Sequence, residues 1–116
     1  MSGQRLLGLA EAVLERTAKT SPALRVRLAA WYTRAALEDF SINLLRPHIG
    51  ADPESLTMKS RLICLRSLVP TVGEAASYAW WALSRVCHYH AFELTPTQGE
   101  IEHLIALVRQ VDPSGR

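Results

Sequence analysis

The chain has 116 residues, 48% of them apolar and 21% charged, with a formal net charge of +2. That is the size of a single domain with a real hydrophobic core, and the near-neutral balance does not by itself mark a nucleic-acid binder. No run approaches the roughly 18 apolar residues of a membrane helix; the longest candidate, residues 75–83, is short and interrupted by Ser77 and Tyr78.

Helical spacing accounts for nearly the whole chain, and no stretch alternates like an exposed strand. The first predicted helix covers about residues 4–19, with Leu6, Leu9, Ala10, Val13 and Leu14 as its apolar stripe. Arg5, Glu11, Glu15 and Arg16 interrupt any leader-like pattern there, so the expected location is the cytoplasm. Ser21-Pro22 reads as a cap followed by proline at the first helical position. The second helix then runs to about residue 46. Its expected core face is Leu24, Leu28, Trp31, Ala35 and Ile42, widened by Tyr32, Ala36, Phe40 and Leu44.

Residues 47–53 are the clearest loop, and Asp52 or Ser55 is the expected cap of the third helix. That helix turns Met58, Leu62, Leu65 and Val69 inward and Lys59, Arg61 and Arg66 outward. Residues 70–73 are expected to interrupt before a fourth helix over about residues 74–90. Its core stripe is Ala76, Ala79, Trp80, Leu83, Val86, Cys87 and His90, with Ser77, Trp81, Ser84, Arg85 and His88 on the flank. Thr95-Pro96 predicts the start of a fifth helix carrying Ile101, Leu104, Ile105, Val108 and Val111. Residues 112–116 read as a frayed tail. The fold class is therefore all-α, a single four- to five-helix up-and-down bundle. Residues 1–21 supply the first helix and a break, and residues 22–111 the main core.

The chemistry concentrates at the end of the fourth helix, in Arg85-Val86-Cys87-His88-Tyr89-His90. An always-charged guanidinium and an imidazole that titrates near neutrality can handle a phosphodiester, one steadying charge and the other moving a proton. At about 100° per residue, Arg85 and His90 differ by roughly 140° around a helix, whereas Arg85 and His88 share a face. An Arg85–His90 pair therefore requires the helix to end or bend, or a second copy to complete the site. Lysine and arginine total 13, of which Lys19 and Lys59 are two, leaving eleven arginines. Arginine binds phosphate through a two-pronged fork, although a genome rich in G and C produces the same bias.

With the helices around it, this segment resembles the HEPN domains, small helical bundles whose active members cut RNA through an arginine and a histidine separated by four to six residues. The order Arg85, His90, Ala91-Phe92-Glu93-Leu94, then a final amphipathic helix over residues 101–111 is similar to theirs, as is Ala35-Ala36-Leu37-Glu38-Asp39-Phe40 in the second helix. The resemblance implies a metal-independent endoribonuclease of toxin or defence type that needs no cofactor and leaves a 2′,3′-cyclic phosphate. Arg85 would hold the phosphate, and His90, with His88 as the second candidate, would transfer protons. Trp81 and Tyr89 would meet the RNA, aided by Arg61 and Arg66. It also implies a homodimer and a protein partner or antitoxin. Two residues depart from the pattern: Val86 stands where active members carry a polar residue. Phe92 stands where antitoxin-modified members carry tyrosine.

The bland alternatives are a buried structural histidine at position 90, an Arg85 that offsets the helix dipole or pairs with Glu93, and a non-catalytic RNA- or protein-binding module. A helical adaptor that dimerises through Trp31, Trp80 or Trp81 is a further reading. Arg25, Arg27, Arg34, Lys59, Arg61 and Arg66 form either an RNA track or ordinary solvated faces. Cys64 and Cys87 are expected reduced and buried, in no spaced framework. A zinc site from Cys87, His88 and His90 would need Cys64, His48 or His103 as fourth ligand and matches no compact motif.

Overall fold

The computed structural model describes residues 1–16, 21–88 and 96–115. Among them are five α-helices: α1 (Gly3–Glu15), α2 (Pro22–Leu45), α3 (Met58–Leu68), α4 (Pro70–Cys87) and α5 (Gln98–Val111). Four long helices surround one core in the order α1, α2, α4, α5, each touching the next and α5 closing back on α1, while α3 packs on α2 and α4. The bundle is all-α, as the periodicity predicts.

Side-chain caps set several helix starts. Ser21 accepts from the Leu24 amide, with Pro22 at the first position of α2. Asp52 caps a short 3-10 turn, Pro53–Ser55, and the cap of α3 is Thr57, which accepts from the Ser60 amide at 3.1 Å. Thr97 caps α5 through the Glu100 amide at 3.1 Å, so the cap lies two residues beyond the expected Thr95. The expected break at residues 70–73 is absent. Val69, at φ −139° and ψ 81°, is the whole joint between α3 and α4, and Pro70 takes the first position of α4 because its missing N–H has no helical partner to lose. The joint is tight: a Cβ on Gly73 would run into the backbone of Leu65 and Arg66.

The chain direction alternates around the ring. The Gly3 amide donates to the Asp39 carboxylate at 2.8 Å, so α1 descends beside an ascending α2. Arg34 meets Trp80 while Arg27 acts electrostatically on Cys87, so α4 descends beside α2 as well. At the far end Gln4 binds both Asp112 and Ser114. Asp112 also accepts from the Ser114 amide at 2.9 Å. The expected frayed tail is instead a 3-10 turn, Pro113–Gly115, hydrogen-bonded to the start of α1.

The main correction concerns α2. Its buried face is Val26, Ala29, Ala30, Thr33, Ala36, Leu37, Phe40, Ser41 and Leu45. The expected core residues Leu24, Leu28 and Trp31 lie on the outside. Buried Ala29, Ala30 and Ala36 let the neighbouring helices approach closely, while Leu24, Leu28 and Trp31 are left on the solvent face. Trp80 is half-buried rather than central, and Cys64 is only half-buried. The two cysteines are free.

Candidate nucleic-acid interface

The core face of α4 is Val72, Ala76, Ala79, Leu83, Val86 and Cys87. That leaves Glu74, Tyr78, Trp81, Arg85 and His88 as an exposed ridge along the opposite side, at spacings of three and four residues. The guanidinium carbon of Arg85 lies 4.9 Å from the ring centroid of Trp81, one turn back on the helix. Arg85 is in the last turn, where a cation is also favoured by the helix dipole. His88 is the cap residue, its amide bonded to the Ser84 carbonyl at 3.0 Å and its side chain exposed. Arg85 and His88 are therefore three residues apart on one ridge, about 4.5 Å along the axis.

Beside this ridge runs the seam with α2. Arg34 stacks on Trp80 at 4.2 Å from the ring centroid. Arg34 Nε, Ser77 Oγ and Ser84 Oγ are buried there with no hydrogen-bond partner among the described residues, which is costly for polar atoms removed from water. Burial pushes the Cys87 thiol above its ordinary value, and the charges of Arg34 and Arg27 pull it only part of the way back. Such a thiol stays protonated and is no nucleophile.

Positive charge is concentrated on the stretches of these two helices beyond Glu74 and before Glu38. Residues 22–37 and 75–88 carry Arg25, Arg27, Arg34, Arg85 and His88 and no aspartate or glutamate, in a chain with 11 acidic residues. Such segregation raises the local concentration of anions without any large net charge.

Of the residues the sequence singled out, Trp81, Arg85 and His88 come together. Tyr89, His90 and Phe92 lie outside the described residues. Arg61, on α3, is half-buried; its Nε donates to the Pro53 carbonyl at 3.0 Å and its guanidinium reaches Ser41 at 3.5 Å. It ties the 3-10 turn to α3 and α2. Arg66 is exposed on α3, with its backbone against Gly73, which is about 18 Å along α4 from Arg85. Neither joins the Arg85 ridge. Sequence reasoning did not group Arg27, Trp31 and Arg34, which share one side of α2; their i, i+4, i+7 spacing was the available signal.

Among the described residues no three His, Cys, Asp or Glu side chains are grouped to hold a metal ion, and no helix is long and apolar enough to cross a membrane. A shallow cavity of about 290 Å³ lies on the α1–α5 seam, lined by Glu11, Glu102, Ile105, Ala106, Arg109 and Gln110, across the bundle from the arginine-rich face. In comparisons with protein-family models, curated proteins and solved structures, nothing matches the chain.

Proposed function

We propose that the outer ridge of α4 binds RNA and cleaves it as a HEPN-like, metal-independent endoribonuclease. The observation that carries this reading is the exposed pair of Arg85 on Trp81 with exposed His88 one turn beyond. A guanidinium lying against an indole is held in place while its N–H edge remains open to a phosphate, and the remaining ring surface can stack a base. The arginines of residues 22–37 and 75–88, stretches without a carboxylate, attract the polyanion.

In this reading the ribose 2′-oxygen attacks the adjacent phosphorus while a histidine takes its proton. The bond to the 5′-oxygen breaks as that oxygen is protonated, leaving a 2′,3′-cyclic phosphate and a 5′-hydroxyl. Arg85 offsets the charge that builds on the phosphoryl oxygens. The described geometry favours His88 as its partner within one chain; the resemblance favours His90.

The test is incubation of the full chain with single-stranded RNA of mixed sequence in EDTA, beside Arg85→Ala, His88→Ala and His90→Ala. Binding weakened about tenfold or more by Arg85→Ala is expected, as one charge-assisted phosphate contact is lost. Cleavage to a cyclic phosphate should be abolished by removal of whichever histidine transfers protons, with binding retained. A wild type that neither binds nor cuts RNA overturns the proposal.

A further inference from the structure

Leu24, Leu28 and Trp31 are 49, 39 and 56% exposed, although each would gain by leaving water. They stand at i, i+4 and i+7 on α2, one above another on the same side. The opposite side of α2 is filled by the core, so this is a second apolar stripe on a helix already packed. Single exposed leucines are ordinary, but three large side chains in register form the row of knobs that fits a neighbouring helix.

The setting selects the neighbour. Arg27 and Arg34 flank the row on the α4 side, and no carboxylate lies in residues 22–37. Leu24 and Leu28 are aliphatic and offer no ring for a nucleobase to stack on. A second copy docked on the same row about a two-fold axis would bring these arginines against their own counterparts. An amphipathic helix with carboxylates beside its apolar stripe meets both the shape and the charge.

We propose that the Leu24–Leu28–Trp31 ridge of α2 docks an amphipathic α-helix of a partner protein, one that carries Asp or Glu flanking its apolar stripe. The ridge is independent of RNA cleavage, since it uses neither Arg85 nor His88.

The full chain is panned against displayed helical peptides of about 20 residues, long enough to span the ridge. Their apolar stripe is fixed and the flanking positions vary among Glu, Gln and Lys. Enrichment of Glu at the flanks is expected. The selected peptide should bind the wild type and lose about tenfold or more in affinity to Leu28→Ser and to Arg27→Glu. A Lys-flanked version should recover binding to Arg27→Glu. Both substitutions are at exposed positions, and circular dichroism checks that the variants are folded. No enrichment of acidic flanks, or equal binding by Leu28→Ser, overturns the proposal. So does a concentration-dependent dimer abolished by Leu28→Ser, which would make the occupant a second copy. Loss of RNA binding in Leu28→Ser without any peptide binding would assign the ridge to nucleic acid and overturn it too. Retained peptide binding in Arg85→Ala beside lost RNA binding separates the two surfaces.

Discussion

The guanidinium carbon of Arg34 lies over the ring of Trp80, 4.2 Å from its centroid, and joins α2 to α4. Its charge also reaches the buried thiol of Cys87. Arg34→Ala should therefore cost about 1–2 kcal/mol, through the lost cation–π contact and the packing of the arginine stem.

The same variant should raise the Cys87 thiol further. Because burial holds that thiol above its ordinary 9.0, the folded chain keeps a proton that the unfolded chain gives up above that pH. Stability from this group is thus complete below about pH 9 and falls as pH rises through the folded value. In a Cys64→Ser background, thiolate absorbance against pH should move upward in Arg34→Ala. An unchanged or lower titration would sever Arg34 from Cys87.

At the other end of the bundle, Asp112 shows the opposite sign. Burial disfavours its charge, yet the Ser114 amide and hydroxyl, the Gln4 side chain and the charge of Arg109 together hold the carboxyl below its ordinary 3.8. The stabilisation is present above that pH and lost as pH falls through the folded value. Asp112→Ala should lower stability by about 1–2 kcal/mol at neutral pH, with the difference shrinking as pH falls below 3.8. Thermal melts across that range check it; a pH-independent difference would assign the effect to packing.

Two glycines should respond in opposite directions to the same methyl group. At Gly73 an added Cβ meets the backbone of Leu65 and Arg66, which cannot move without opening the α3–α4 joint, so Gly73→Ala should cost about 2 kcal/mol or more. At exposed Gly8, within α1, nothing lies within 4 Å of that position. Gly8→Ala should stabilise by about 0.5–1 kcal/mol. Urea unfolding of both variants gives the comparison.

The start of α5 rests on the Thr97 hydroxyl, bonded to the Glu100 amide at 3.1 Å. Thr97→Ala should cost about 1 kcal/mol and speed amide exchange at Glu100, because one donor of the first turn loses its acceptor. Unchanged exchange there would remove Thr97 from the cap.

Much of this was legible in the sequence. Ser21-Pro22 marks the start of α2, and the Ala76, Ala79, Leu83 stripe and the Ile101, Leu104, Ile105, Val108 stripe each offer one apolar face to bury. Arg85 and His88 share a ridge because a helix repeats every 3.6 residues. Starts were less legible where two residues could serve. Thr95 and Thr97 both suit a cap, and Gly73 reads as a breaker until Arg66 is placed against it.

What the sequence by itself determined is the helical class, most of the helix positions and the Trp81–Arg85–His88 ridge. What only the tertiary structure decided is which face of α2 is the core. Leu24, Leu28 and Trp31 repeat at helical spacing, and so do Val26, Ala29, Ala30, Thr33 and Leu37; periodicity cannot rank them. Four neighbouring helices must approach α2, and their separation depends on the side chains between them. Ala29, Ala30 and Ala36 permit that approach around the buried Val26, Leu37 and Phe40, which leaves Leu24, Leu28 and Trp31 facing solvent beside Arg27 and Arg34.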